Sequence, residues 1–182
     1  MSKKVLIAYF SRGGENLINE EIVDIGREGN TAKAAKELKK QLEELGITST
    51  LFEITPLESY PFFYSMVLDR AKDEKTKSSY PEILSGPVDF NQYQTIFLGY
   101  PNWWGSCPRT INSFLKEHDF ASKTVIPFVT HGGQLFLYSL EEIKREIPMA
   151  SLKEGFAIYA NYMEQTPIII ENWLKENESF IK

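Results

Sequence analysis

Residues 95–115 read TIFLGYPNWWGSCPRTINSFL, and this stretch passes from a predicted strand through a loop into a predicted helix. The strand is predicted by the apolar run at residues 96–98, because such a run bounded by turn residues is typical of a buried strand in a parallel sheet. The helix is predicted by Ile111, Phe114 and Leu115, whose spacing places them on one stripe. The stretch therefore predicts one strand-to-helix unit.

Two adjacent tryptophans, Trp103 and Trp104, lie in the loop of this unit. Neighbouring side chains in a loop do not easily both point into one core. One interpretation is that one Trp packs inward while the other covers a crevice. The other is that the loop forms a wall for a flat aromatic ligand, since stacked rings gain roughly 0.5–1.5 kcal/mol beyond burial.

The composition limits the classes of protein. The chain has 182 residues and is 42% hydrophobic, which predicts a single domain over residues 1–182 with a sizeable core. No apolar run approaches the length of about 18 residues that spans a bilayer, and the N-terminus lacks the apolar stretch of a signal peptide. We therefore expect a cytoplasmic protein with no membrane partner. The net charge of −5 argues against nucleic acid as a partner.

Cysteine and histidine are scarce. The single cysteine, Cys107, excludes an internal disulfide and a cysteine-based metal site, and His118 and His131 are too few for a His-rich one. We expect no metal site. The oligomeric state has no signature in the sequence.

Four further strands are predicted from runs of apolar and β-branched residues. These runs are KVLIAYF at residues 4–10, ITSTLFEI at 47–54, TVIPFVT at 124–130, and the segment 152–160. Pro127 inside the fourth strand is unfavourable for a central position.

Helices are predicted between and after the strands. The first ends at Gly46 as a left-handed cap, and residues 63–77 predict a solvated helix. Another helix starts with a capping box at Ser139 and Glu142, and Thr166 is the expected N-cap of the last one.

Alternating strands and helices predict an α/β fold with a five-stranded parallel sheet in the order 2-1-3-4-5. Ligands in such sheets bind beyond the carboxyl ends of the strands, where the first and third strands separate. This rule brings three segments together. They are residues 11–12 with 29–31 after the first strand, 101–105 after the third, and 130–133 after the fourth.

The three segments offer different chemistry. The Ser11 hydroxyl and a helix start at Gly29-Asn30-Thr31 suit a phosphate, although Asn30 or Thr31 can equally serve as an ordinary N-cap. The second segment supplies aromatic faces, and the glycines of the third let the backbone approach a ring edge. Together they describe the site of a mononucleotide-type cofactor.

These residues resemble the flavodoxin family. Ser11 followed by Gly-Asn-Thr is similar to its phosphate loop, and YPNWWGSCPRTINSFL followed by a strand ending in THGG is similar to members with a paired Trp after the third strand. The resemblance covers nearly the whole chain and implies a flavodoxin-like three-layer sandwich that binds FMN. The cofactor-binding residues that it implies are Ser11, Arg12, Gly29, Asn30, Thr31, Pro101, Asn102, Trp103, Trp104, Gly105, Thr130, His131, Gly132 and Gly133.

The sequence departs from the family pattern in its phosphate loop. Residues 12–28 intervene where two residues usually separate the Ser from the Gly. Glu28 replaces an expected Thr, and Arg12 is a cation where the family relies on neutral donors. We interpret the added residues as an excursion, a hairpin through residues 19–21, that leaves the site and returns to it.

Other classes sharing parts of this pattern are rejected. A receiver domain needs carboxylates where this chain has Ser11 and Tyr100. Arg109 lies too close to Cys107 for a phosphatase loop, so Cys107 is predicted to be structural. For His131 we predict a hydrogen-bonding or solvent-facing role rather than that of a proton relay.

Three functional classes follow from the resemblance, and no catalytic side chain is assigned in any of them. The first is an FMN-dependent oxidoreductase that passes electrons from a nicotinamide, NAD(P)H, to a small acceptor such as a quinone. The second is a flavodoxin-type electron-transfer protein that docks to a redox partner protein. A weaker third is an FMN-binding sensor without turnover.

Overall fold

A computed structural model describes residues 4–84, 86 and 89–181, so the loop that the sequence predicts at residues 85–87 lies partly outside them. The strands in chain order are β1 (Lys4–Tyr9), β2 (Glu15–Ile18), β3 (Glu21–Asp24), β4 (Ser49–Glu53), β5 (Tyr93–Pro101), β6 (Thr124–His131), β7 (Ser151–Leu152) and β8 (Phe156–Tyr159). The helices are α1 (Asn30–Glu44), α2 (Tyr64–Thr76), α3 (Arg109–Glu117), α4 (Ser139–Glu146), α5 (Thr166–Glu176) and α6 (Glu178–Ile181). No helix among these residues is long and apolar enough to cross a bilayer.

The central sheet is parallel and runs in the order β4-β1-β5-β6-β7, with β8 also paired to β6. This arrangement confirms the predicted order 2-1-3-4-5. Successive β1 residues serve opposite faces of the sheet, since Leu6 packs in the same cluster as Ile111 of α3, and Ile7 in the same cluster as Leu38 of α1. Burial on both faces explains why the strands are continuous apolar runs.

The fifth predicted strand is split into β7 and β8 opposite Pro127. Val125 accepts a hydrogen bond from Lys153 N at 2.9 Å, so its peptide groups face the fifth strand. Groups two residues apart point to the same side of a strand, and Pro127 therefore presents a nitrogen without hydrogen to that neighbour. Gly155 lies in the gap, where a Cβ atom would overlap Pro127 O. Pro127 is tolerated in a central strand because the partner strand is interrupted there.

The predicted excursion in the phosphate loop is an antiparallel hairpin of β2 and β3. Its turn lies at Asn19 and Glu20, whose φ angles of 52° and 65° match the left-handed turn that hairpins favour. At its base, Gly14 N donates to Gly26 O at 2.7 Å. The two ends of the hairpin are thus held together before the chain enters α1, which confirms the predicted excursion and return.

Two predicted helix starts differ from the structure. Helix α4 begins at Ser139 without a capping box, because the Ser139 hydroxyl donates to Phe136 O and Glu142 turns away to accept from Ser106 Oγ at 2.6 Å. Thr166 is the first residue of α5 rather than its N-cap. In both helices the hydroxyl donates to a preceding carbonyl, and a local side-chain bond of this kind competes with capping.

Candidate functional site

A cleft of about 260 Å³ opens at the carboxyl ends of β1, β5 and β6. All three predicted segments reach it. The predicted residues that line it are Ser11, Arg12, Asn30, Thr31, Pro101, Asn102, Trp103, Trp104, Thr130, His131 and Gly132. Gly29, Gly105 and Gly133 are not among its lining residues. Gly29 instead packs against Ser11 and Arg12 of its own loop, and Gly105 packs against Leu137 of the segment after β6.

One end of the cleft is built around the start of α1. Ser11 Oγ accepts a hydrogen bond from Ala32 N at 3.0 Å, which leaves the hydroxyl hydrogen of Ser11 for another acceptor. Gly29 brings the two halves of the loop together, since a Cβ atom there would overlap Arg12 O and Ser11 Oγ. The first amides of a helix have no intrahelical partner. This end therefore presents N–H and O–H donors at the positive end of a helix, which suits an anion.

Ordinary N-capping does not explain Asn30 and Thr31. The N-cap residue of α1 is Gly29, and no side-chain hydrogen bond caps the helix from that position. The Thr31 hydroxyl is instead buried and bonded to the Thr130 hydroxyl at 2.8 Å. This contact ties the start of α1 to the end of β6, so two of the predicted segments are held in register by their own side chains.

Arg12 stabilises the base of the hairpin formed by β2 and β3. Its two terminal nitrogens donate to Glu15 O at 2.8 and 2.7 Å, and one of them also donates to Phe62 O at 3.0 Å. Burial lowers the pKa of Arg12, and the nearby Glu15 opposes this shift. Glu15 in turn accepts from Tyr64 N at 2.9 Å, at the first residue of α2. Both terminal nitrogens are thus engaged by carbonyl groups, and Arg12 joins the hairpin to the segment that enters α2.

The other end of the cleft is the tryptophan loop. Trp103 and Ser106 exchange two backbone hydrogen bonds of 3.1 Å, which close a tight turn. Trp104 and Gly105 form its corner with left-handed φ angles of 53° and 78°. Trp103 is partly buried, whereas Trp104 is 49% exposed. One Trp thus packs inward while the other remains open, and both line the cleft.

Trp103 rests on an aromatic and charged cluster. Its ring meets Phe10 and Tyr60 edge-on, at centroid distances of 5.7 and 5.0 Å. The Tyr60 hydroxyl donates to Glu74 at 2.6 Å, and Arg70 donates to the same carboxylate at 2.8 Å while lying over the Tyr60 ring. Burial, and then the bond to Glu74, raises the pKa of Tyr60 above its ordinary range. The position of Trp103 is therefore fixed from behind by the segment before α2 and by α2 itself.

His131 closes the loop after β6. Its Nδ1 accepts from Gly133 N at 3.0 Å, and its ring stacks on Tyr159 at 5.4 Å. Burial lowers the pKa of His131, so the imidazole is neutral near pH 7. An accepting Nδ1 places the hydrogen of the neutral ring on Nε2. Of the two roles predicted for His131, hydrogen-bonding or solvent-facing, the first agrees with this bond and with the burial of the ring.

Cys107 is buried, and its thiol donates to Ser139 O at 3.9 Å. Burial, and then the charge of Glu142, raises the pKa of Cys107 well above its ordinary value, which favours the protonated thiol. These features agree with the predicted structural role. In the described part of the chain, no cluster of three or more His, Cys, Asp or Glu side chains is arranged to hold a metal ion.

Several lining residues had not been predicted from the sequence. They come from the hairpin, from α2 and from the segments after β6 and β8, and they are Asn16, Leu17, Ile18, Ile25, Tyr64, Val67, Leu68, Gln134 and Ala160. The hairpin also reaches the far side, where Asn161 donates to Asn19 at its tip. The apolar pair Val67-Leu68 could have indicated that one side of α2 is covered, since a fully solvated helix needs neither residue.

The sheet order and the cleft define a doubly wound α/β protein whose cleft has one end rich in hydrogen-bond donors and one aromatic end. A family model described as Flavodoxin matches residues 4–177, and the chain belongs to the flavodoxin family. Family membership supports FMN as the cofactor. A comparison with curated proteins finds no match.

Solved structures share the fold over nearly the whole chain. A flavoprotein candidate from Bacteroides uniformis ATCC 8492 is 28% identical with a TM-score of 0.73, over 96% of this chain and 99% of that one. A second from Bacteroides eggerthii DSM 20697 is 28% identical with a TM-score of 0.72, over 96% and 98%. The flavoprotein from Lactobacillus acidophilus NCFM, solved in complex with FMN, is 20% identical with a TM-score of 0.62, over 92% and 99%, and shows a shared fold.

Proposed function

We propose that this chain binds FMN in the cleft and acts as an oxidoreductase that passes electrons from a nicotinamide to a small acceptor such as a quinone. FMN supplies the redox chemistry when bound, and the protein supplies binding, orientation and shielding. Family membership and the two chemically different ends of the cleft support the cofactor.

The residues of the cleft fit this cofactor. Ser11 Oγ and the first amides of α1 are donors for a phosphate, in the loop that Gly29 compresses. Trp103 and Trp104 offer flat apolar faces to a ring, and His131 with Gly132 offers polar groups to its edge. Arg12 has a supporting role, because its terminal nitrogens are bonded to carbonyl groups.

The hairpin is the observation that favours an oxidoreductase over a carrier. Leu17 and Ile18 of β2 and Val67 and Leu68 of α2 line the same cleft as the tryptophans. The contact between Asn19 and Asn161 holds the hairpin tip on the far side. An apolar, walled space beside the ring suits a small flat acceptor and excludes water from it. A carrier that works only by docking needs no such wall.

A spectrum and a turnover assay test the proposal. Purified protein given FMN is expected to develop the visible absorption of a bound flavin. With NADH or NADPH and a panel of quinones, the loaded protein should then turn over many times per site. Absence of flavin binding would overturn the cofactor assignment, and binding without turnover of any quinone would overturn the oxidoreductase.

A flavodoxin-type carrier is the second candidate, because large apolar side chains are exposed next to the tryptophan loop. They are Trp104 itself and Leu135, Leu137 and Tyr138, whose segment contacts Asn102 and Gly105. An exposed apolar patch of this kind suits docking of a protein partner. Rapid electron transfer from the reduced protein to a redox protein, with no quinone turnover, would favour the carrier.

A further inference from the structure

The turn of residues 103–106, called the tryptophan turn below, contains a backbone conformation that is unfavourable for one of its residues. Trp104 adopts a left-handed φ of 53°, a region that bulky L-residues avoid because Cβ crowds the following carbonyl. Such a conformation persists only where the surroundings hold it. The positions of Trp103 and Trp104 in the cleft therefore depend on groups outside the turn.

Two side chains supply that support. Asn102 accepts from Gly105 N at 2.6 Å and donates to Leu135 O, which holds the turn from inside the loop. Glu142 holds it from α4, because one carboxylate oxygen accepts from Ser106 Oγ at 2.6 Å and from Cys107 N at 3.2 Å. Hydrogen bonds to an ionised carboxylate are stronger than those between neutral groups.

We propose that Glu142 is a positioning residue for the flavin ring, acting through Ser106 and Cys107 on the turn that carries Trp103 and Trp104. Glu142 does not line the cleft, and it lies 36 residues beyond Ser106 in the chain. It fixes the end of the turn at Ser106, as Asn102 fixes its corner at Gly105. This inference rests on the proposed binding of FMN.

The test measures the affinities of FMN and riboflavin and the fluorescence of each bound flavin. Glu142→Ala should weaken both flavins by about tenfold, the order expected when a charge-assisted hydrogen bond is removed. It should also raise the residual fluorescence of the bound flavin, because the tryptophans no longer hold the ring in one arrangement. The ratio of the two dissociation constants should stay constant, since the phosphate end is untouched.

Matched variants separate positioning from charge and from general stability. Glu142→Gln keeps an oxygen acceptor at the same place, so it should stay within about threefold of the unaltered protein. Glu141→Gln and Glu141→Ala, at the exposed preceding position of α4, should change neither affinity nor fluorescence. Melting temperatures of all variants report stability separately.

A double-mutant cycle tests the route of the effect. Ser106→Ala removes the hydroxyl that Glu142 accepts from, so its loss in flavin affinity should not add to that of Glu142→Ala. Additive losses, an altered ratio of FMN to riboflavin affinity, or Glu142 variants indistinguishable from those of Glu141 would each overturn the positioning role. Unaltered protein that binds no flavin would overturn the proposed function instead, and so the two failures are distinguishable.

Discussion

The loops after β1 and after β5 lie side by side at the same edge of the sheet, and they hold their shapes in different ways. In the loop after β1, Ser11 and Gly29 meet through backbone packing and one bond to Ala32 N. In the loop after β5, the left-handed Trp104 is supported by Asn102 of the same loop and by Glu142 of α4. Close packing around Gly29 holds the first loop, whereas side-chain hydrogen bonds hold the second.

This difference explains which loop accepts added chain. The first loop carries a hairpin between its halves because Gly14 and Gly26 close the excursion before it can disturb Gly29. Added length in a loop whose ends are held costs little, about 0.6 kcal/mol per doubling. In the second loop the bonds between Trp103 and Ser106 already close a tight turn, and an insertion within that turn would break them.

The largest expected effect is the difference in affinity between FMN, which carries a phosphate, and riboflavin, which does not. FMN should bind about a hundredfold more tightly than riboflavin, because its phosphate adds two or more charge-assisted hydrogen bonds to Ser11 and the start of α1. Fluorescence titration of the protein with each flavin measures the ratio. Equal affinities would show that this loop does not bind the phosphate.

The next largest effect on FMN affinity is expected from adding a methyl group at Gly29. Gly29→Ala should weaken FMN by about thirtyfold and lower stability by about 2 kcal/mol, because the added Cβ overlaps Arg12 O and Ser11 Oγ. The matched control is Gly46→Ala at the other end of α1, where nothing lies near but φ is 74°. That variant should cost about 1 kcal/mol of stability and no flavin affinity. Equal FMN affinities in the two variants would contradict the model of a packed loop.

On the ring side, the two tryptophans should differ. Trp104→Ala should weaken flavin binding by about 1–3 kcal/mol with little loss of stability, because its ring is exposed in the cleft. Trp103→Ala should also destabilise the fold by up to about 3 kcal/mol, since its ring packs on Phe10 and Tyr60. Trp104→Phe keeps an aromatic face and should recover most of the affinity. Urea unfolding and flavin titration separate the two effects, and unchanged flavin binding in both Ala variants would show a pair that only fills the core.

Sequence patterns predicted the fold well because they report local burial. The continuous run of β1 predicts a strand covered on both faces, and Leu6 and Ile7 pack on opposite sides of the sheet. The predicted capping box at Ser139 does not form, because the Glu142 carboxylate accepts a hydrogen bond from Ser106 instead. Ser106 lies in another βα unit, so the spacing of the residues around Ser139 does not indicate this bond.

The candidate site was predictable only in part for the same reason. Ser11 and Trp104 follow strand ends, so the rule for doubly wound sheets places them together. Tyr64 and Val67 reach the cleft because the hairpin draws α2 toward it through Glu15 and Tyr64 N. This contact joins residues far apart in sequence, and a single sequence carries no signal for it.

A smaller effect on flavin binding is expected from removing the hairpin. Deletion of residues 13–27 joins Arg12 to Glu28, which is feasible because the hairpin ends already touch at Gly13 and Arg27. The variant should fold and bind FMN within about tenfold of the full chain, since Ser11 and the start of α1 keep their places. Quinone turnover should change more than FMN affinity, because the apolar wall of the cleft is lost.

A circular dichroism spectrum and an FMN titration of the deleted protein test this prediction. Folded protein without flavin affinity would mean that the hairpin itself supplies essential contacts to the cofactor. Arg12 offers a milder comparison, since Arg12→Lys loses the forked bonds to Glu15 O and Phe62 O but keeps the charge. If Arg12 only braces the hairpin, this variant should follow the deletion in turnover and the unaltered protein in FMN affinity.

The smallest effect on flavin binding is expected from pH, and we expect it at the ring side of the cleft only. Burial lowers the pKa of both His131 and His118, so the folded protein keeps these rings neutral while the unfolded chain protonates them near pH 6.5. The stability that this neutrality provides is present above that pH and is lost as pH falls. Burial raises the pKa of Glu53, which opposes the loss in more acidic solution, so measurements belong above about pH 5.5.

Riboflavin is the suitable probe of this effect because it has no phosphate to titrate. Its affinity should fall about threefold from about pH 7.5 to about pH 5.5, since protonation of His131 at Nδ1 breaks the bond from Gly133 N beside the ring. His131→Phe should remove this dependence. His118→Phe is the matched control, because that ring packs on Phe90 at 4.5 Å, away from the cleft, and should alter only the pH dependence of stability. A pH dependence of riboflavin affinity that survives His131→Phe would assign it to a group other than His131, and loss of the bond from Gly133 N would then not be its cause.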